Sequence, residues 1–164
     1  MRPVEHLAVF LGGLAHFGGL SREELDTLAR AMDIQRYDDG QWIIREGEQA
    51  DGLYVLMQGA IEVVRVRGER EDLLNHVLAG ELFGLIAMVD QGARSASCRA
   101  QGEAKLAKLP RRAFTKLFAA NAEIAYAFSR ALATQLARDF RALDRQLRDE
   151  LMQQEGARSG SHKK

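Results

Sequence analysis

Nine glycines fall between residues 40 and 102, at positions 40, 47, 52, 59, 68, 80, 84, 92 and 102. Between them lie short segments of β-favouring residues: QWIIR, LYVLMQ, IEVVRVR, LLNHVL, SASCRA and AKLAKL. Glycine supplies the positive φ angles that tight turns need. Short strands at intervals of about eight to twelve residues are the pattern of a sandwich or barrel. Residues 34–109 are therefore expected to form a sandwich or barrel.

Helical patterns flank this zone. In residues 4–33, LSREELDTLARAM opens with Ser21 three residues before Glu24, a capping-box pattern, and Leu25, Leu28 and Met32 share one face. Pro110 suits the first turn of RRAFTKLFAA, and Asn121 suits the N-cap of a helix over residues 122–155. Along that helix Ile124, Phe128, Leu132, Leu136, Phe140, Leu143, Leu147 and Leu151 recur at steps of four, four, four, four, three, four and four. The stripe runs along a helix of roughly 50 Å, longer than a small β core can cover. Its surplus is expected to pair with another helix, with Phe128, Leu132, Leu136, Phe140, Leu143 and Leu147 as the seam. The steps are looser than a strict heptad, so helix pairing is expected rather than an ideal coiled coil. The alternative is a helix folded back on its own domain. The predicted class is α+β: N-terminal helices, β-roll and long C-terminal helix in one domain over 1–155, with 156–164 a disordered tail.

Composition removes several functional classes. The chain has 164 residues, 46% hydrophobic and 28% charged, which is the balance of a globular domain. Its 23 basic and 23 acidic side chains cancel, against the basic surface that nucleic-acid binding requires. No run of eighteen apolar residues exists, and MRPVEHLAVFLGGLAHF lacks a clean signal-peptide core. A single cysteine, Cys98, forms no internal disulfide and fits a reducing cytoplasm, packed as a small apolar residue in a strand. His6, His16, His76 and His162 are scattered without metal-site spacing, which removes a cupin-type metalloenzyme and predicts no metal. Trp42 and Tyr54 read as core or rim of the roll. Met1 and the polar tail favour a complete chain.

The order of helix, glycine-punctuated roll and long helix resembles the cyclic-nucleotide-binding domain, including the sensor of the catabolite-activator branch. RYDDGQWIIREGEQADGLYVLMQGAIEVVRV is similar to the family's first half, with Gly40, Glu46-Gly47, Asp51, Tyr54 and Gly59 at its turns and strands. AGELFGLIAMVDQGARSASCRA is similar to its phosphate-binding cassette: Phe83-Gly84, a short helical turn, then Arg94-Ser95-Ala96. The resemblance covers residues 10–150 and implies an antiparallel β-roll of the jelly-roll type over 34–109, with Arg94, Ser95 and Ala96 holding a cyclic phosphate. It also implies two-fold dimers through the long helix. The winged helix-turn-helix that follows this helix in transcription factors does not follow it here, so direct DNA binding is not expected.

The chemistry of the cassette supports an anion site. Gly84 lets the backbone approach a ligand, and the amides of Leu85, Ile86 and Ala87 start a helical turn. Arg94 offers a planar fork of donors that suits a phosphate, with the Ser95 hydroxyl and Ala96 amide beside it. The competing reading makes Arg94 a turn residue paired with Asp90. One departure stands out. The family places a glutamate after Phe-Gly to accept from the ribose 2′-hydroxyl, and this chain has Leu85. Losing a hydrogen bond to a charged group, about 1.5–3 kcal/mol, weakens a cyclic nucleotide about ten- to a hundredfold. Sliding the register to use Glu81 forfeits the Phe-Gly match. For base contacts, Thr134, Asp139 and Phe140 are the candidates on the long helix.

Two functions follow. The first is a non-enzymatic, dimeric cytoplasmic regulator that binds cyclic AMP, cyclic GMP or a related anionic effector at Phe83–Ala96 and relays occupancy through its long helix, with a downstream protein partner. The second is a degenerate cassette that serves as a dimerisation or protein-docking scaffold. Arg94, Ser95 and Ala96 favour the first and Leu85 the second.

Overall fold

A computed structural model gives the fold and describes residues 2–160. Helix α1 (Pro3–Gly12) leads to α2 (Arg22–Arg30). The expected capping box opens α2: the Ser21 hydroxyl accepts from the Glu24 amide at 3.2 Å, and Glu24 Oε2 accepts from the Ser21 amide at 2.7 Å. Leu7 and Leu11 of α1 and Leu28 and Ala29 of α2 are buried, while Arg22, Glu23 and Arg30 of α2 are exposed.

Six strands follow: β1 (Asp33–Tyr37), β2 (Trp42–Ile44), β3 (Gly52–Arg67), β4 (Arg70–Leu78), β5 (Leu82–Phe83) and β6 (Ser97–Pro110), with the short helix α3 (Ile86–Val89) before β6. All pairings are antiparallel. Strands β3 and β6 are longer than the sequence pattern suggested, because LYVLMQ and IEVVRVR are one strand, and AKLAKL is one strand with SASCRA from Ser97 onward. Each bends at a glycine. Gly59 has φ +93°, and a Cβ there would overlap the Glu103 carbonyl oxygen of the crossing strand, so only glycine lets the backbones meet. The bends divide the sheet. The last half of β6 pairs with β1 and the first half of β3, while its first half pairs with β2 and the last half of β3. Residues from both halves form one core, including Ile44, Tyr54, Leu56, Ile61, Val77, Phe83, Cys98 and Leu106. This is the expected roll.

Helix α4 (Arg111–Ala120) starts directly after Pro110, which closes β6. Asn121 caps α5 (Ala122–Gly160) as expected, its Oδ1 accepting from the Ile124 amide at 2.9 Å. Helix α5 does not stop at residue 155: residues 156–160, expected in a disordered tail, continue it. The remainder of that tail, 161–164, lies outside the described residues. The chain divides into two compact units, one ending at Phe128 and the other beginning at Ser129. Within the first unit Phe128 packs edge-on against Phe17, centroids 5.3 Å apart, and against Phe114 at 5.6 Å. Phe128 was expected in the helix-pairing seam. Its ring is instead core, because the stripe's spacing carries no mark of where its own domain ends.

Candidate functional site

The cassette begins at β5, where Phe83 pairs with Tyr54 of β3 and the two rings stack at 5.1 Å. Gly84 then turns the chain with φ +77°, and a Cβ there would lie 2.6 Å from Arg94 Nη1. Glycine is thus required twice, by dihedral and by the guanidinium against it. Leu85 is the N-cap of α3, its carbonyl accepting from the Met88 amide at 3.0 Å. After α3, Asp90 Oδ1 accepts from the Gly92 amide at 2.8 Å. Asp90 is spent on this turn and does not pair with Arg94.

Arg94 is held at backbone and side chain. Its amide donates to the Glu48 carbonyl and its carbonyl accepts from the Gly47 amide, both at 2.9 Å. Its side chain turns inward, leaving the residue 5% exposed. Nη1 donates to the Gly84 carbonyl at 2.9 Å, Nη2 donates to the Gly52 carbonyl at 2.5 Å, and Asp51 Oδ1 lies 3.5 Å from Nη2. Burial lowers the guanidinium's pKa, against which the Tyr54 and Asp51 oxygens act. An arginine remains charged under such conditions. The site therefore keeps a fixed buried cation whose fork is oriented by two carbonyls.

Asp51 has a second partner, Lys108 Nζ, at 2.5 Å. Partial burial pushes the Asp51 carboxyl pKa up, but the hydrogen bond and charge of Lys108, with the charge of Arg94, hold it below the ordinary value. Burial and the nearby Asp51 push the Tyr54 phenol to about 12. Burial pushes the Cys98 thiol to about 11, opposed by Arg94. The links of Asp51 to Arg94 and to Lys108 were not read in the sequence, because 43 and 57 residues separate the partners and only the fold joins them. Arg111 was also missed. Its Nε donates to the Ala50 carbonyl at 2.7 Å and its Nη2 to the Ala87 carbonyl at 3.2 Å, tying the start of α4 to α3 and to the loop before β3.

The remaining candidates divide. Phe83 and Ala87 are buried, while Ile86 and Ala96 are half-buried. Ser95 is exposed, and its carbonyl accepts from Arg65 Nη2 at 3.4 Å. Leu85 is 1% exposed, so its side chain is part of the packing. Glu81 Oε2 accepts from the Leu78 amide at 2.8 Å, so the alternative acid closes its own turn. On α5 the Thr134 hydroxyl donates to the Arg130 carbonyl at 2.9 Å, and Asp139 and Phe140 are exposed. Leu132 is half-buried, and Leu136, Phe140, Leu143 and Leu147 are exposed. Among the described residues no group of three or more His, Cys, Asp or Glu side chains is placed to hold a metal. No helix among them is long and apolar enough to cross a membrane.

This donor set, one oriented guanidinium beside a helical turn and a hydroxyl, suits a phosphate. The family model for the cyclic nucleotide-binding domain matches residues 34–121, more than half of the chain and the whole of the cassette. The chain belongs to that family. This cyclic nucleotide-binding domain is 32% identical over 111 residues to the cGMP-dependent protein kinase egl-4 of Caenorhabditis briggsae, covering 66% of the chain and 15% of the kinase. It is 32% identical over 117 residues to the cAMP-dependent protein kinase regulatory subunit of Blastocladiella emersonii, covering 70% and 29%. The domain thus spans less than a third of either relative. Among solved structures, Thermus thermophilus catabolite activator protein aligns with TM-score 0.69 and 31% identity over 83% of this chain and 62% of that one. A cyclic nucleotide-binding domain from Methylobacillus flagellatus KT aligns with TM-score 0.73 and 24% identity over 89% and 83%, a likeness of fold.

Proposed function

We propose that this domain is a non-enzymatic regulatory module that binds a cyclic nucleotide, cyclic AMP or cyclic GMP, or a related anionic effector, at Phe83–Ala96. Occupancy is relayed through α5, and the module works as a homodimer through that helix. One observation carries the reading: a buried arginine fork, oriented by the Gly84 and Gly52 carbonyls, in the cassette that the family model covers. Arg94 would hold the phosphate, with Ser95, Ala96 and the first-turn amides of Leu85, Ile86 and Ala87 around it. The relay is a shift between two states for which the effector has different affinities.

Leu85 favours a second reading, a degenerate cassette retained as a dimerisation or docking scaffold, since its packed side chain offers no acceptor to a ribose hydroxyl. Thermal unfolding with cyclic AMP, cyclic GMP and cyclic dinucleotides separates the two. A ligand at a hundred times its Kd stabilises by about 2.7 kcal/mol, which raises Tm by several degrees. The sensor reading expects such a rise with at least one of these ligands at millimolar concentration. An unmoved Tm with all of them leaves the scaffold.

A further inference from the structure

Helices α1 and α2 leave a surface groove of about 600 Å³ between them. Its floor is apolar, with Val4, Ala8 and Val9 of α1 lying along it beside Leu25 of α2. Val9 is 69% exposed, although the same helix buries Leu7 and Leu11 against the domain. A Cβ on Gly12 would come within 3.0 Å of Leu25 Cδ1, so α1 and α2 touch there. The wall on α2 carries a row of charge. Arg22, Asp26 and Arg30 line the groove at four-residue steps, about 6 Å apart along the axis, in the order plus, minus, plus.

Both arginines of the row are exposed, and Asp26 is half-buried. Side chains four apart on a helix are close enough to pair. Among the described residues, however, none of these three enters an ion pair. At the start of α1, Arg2 adds a third cation to the groove, while Glu5 Oε2 is occupied by the Arg2 amide at 3.0 Å. We propose that the groove docks an amphipathic helix of another protein, whose apolar stripe is flanked by acid, base and acid at four-residue steps. Such a row meets Arg22, Asp26 and Arg30 one for one, because every α-helix repeats the same spacing. The apolar stripe lies on Val9 and Leu25 and makes a third helix beside α1 and α2.

Other occupants fit worse. An extended peptide would lay unpaired backbone groups on the apolar floor, since neither helix offers it a strand edge. A lipid with one charged head would run its chain past Asp26 and leave that carboxylate against hydrocarbon. A second copy of this chain does not supply the row: nowhere in the sequence do acid, base and acid follow one another at four-residue steps.

Fluorescence anisotropy of labelled peptides titrated with the full chain tests the docking. The probe is a synthetic amphipathic helix with glutamate, lysine and glutamate at four-residue steps beside a leucine stripe. Its control exchanges the signs, to lysine, glutamate and lysine. The natural chain is expected to bind the probe at least about tenfold more tightly than the control. Arg22→Asp, Asp26→Arg and Arg30→Asp made together are expected to reverse that preference. Val9→Asp, at an exposed position that leaves the core intact, is expected to weaken both peptides at least about tenfold. Equal affinity of the natural chain for the two peptides would overturn the proposal, as would a preference that survives the triple exchange. Binding indifferent to Val9→Asp, or no binding of the probe at about a millimolar, would overturn it as well.

Discussion

Asp51 Oδ1 lies 3.5 Å from Arg94 Nη2, although the aspartate is largely open to water and the arginine is buried. The carboxylate balances a cation that water cannot reach, and Lys108 fixes it from the other side. This pairing gives the site a pH dependence. Asp51's folded-state pKa lies below its ordinary 3.8, so its contribution is fully present above that value and is lost as pH falls through the folded pKa. Asp51→Asn is expected to lower stability by about 1 kcal/mol at neutral pH, a modest figure because solvent screens the pair. Urea midpoints of the two proteins should converge below pH 4. A constant gap down to pH 3 would remove Asp51 from this role.

Two glycines separate dihedral strain from close approach. Gly84 and Gly68 both have positive φ, +77° and +64°, but a Cβ on Gly68 meets open space while one on Gly84 meets the Arg94 guanidinium. Gly68→Ala is expected to cost about 1 kcal/mol and Gly84→Ala about twice that. Equal losses in urea would mean that Arg94 yields without cost.

How much of this was legible in the sequence depended on distance along the chain. Ser21 with Glu24, and Asn121 with Ile124, cap their helices within three residues, and both were readable. Strand β1 was not, because DIQRY is mostly exposed, shows no clean alternation and owes its structure to pairing with β6 some 70 residues on. Gly59 was read as a turn between strands, whereas the strand bends there and continues. Phe83, Gly84 and Arg94 stood out as a cassette, yet one of the two carbonyls that aim Arg94, and the carboxylate beside it, come from Gly52 and Asp51, which only the folded chain brings near.

Arg111 holds two carbonyls on separate elements, Ala50 before β3 and Ala87 in α3. Arg111→Met keeps most of the side chain's bulk and removes both bonds. It is expected to cost about 1–3 kcal/mol. Amide exchange at Met88 and Asp90, within and just after α3, should accelerate more than exchange at Val55 in the sheet. Uniform acceleration would indicate global loosening alone.

Leu85 is packed as a core residue, so acidic and apolar replacements should diverge. Leu85→Glu buries an unpaired carboxylate and is expected to cost about 3 kcal/mol or more, while Leu85→Met costs below about 1.5 kcal/mol. Comparable urea midpoints for the two variants would show that the side chain at 85 swings out to water.

Cys98, with its thiol raised to about 11 and the residue 5% exposed, should resist thiol reagents at pH 8 in the folded protein and react on unfolding. Rapid labelling of the native chain would contradict its place in the core.

The central claim is that the Arg94 fork holds an anionic phosphate. Its most direct measurement is the calorimetric affinity for cyclic AMP of the natural chain against Arg94→Lys, which keeps the charge and loses the fork. Binding to the natural chain is expected, with at least about tenfold weaker binding to the variant. Equal affinities for the two would place the ligand elsewhere and contradict it.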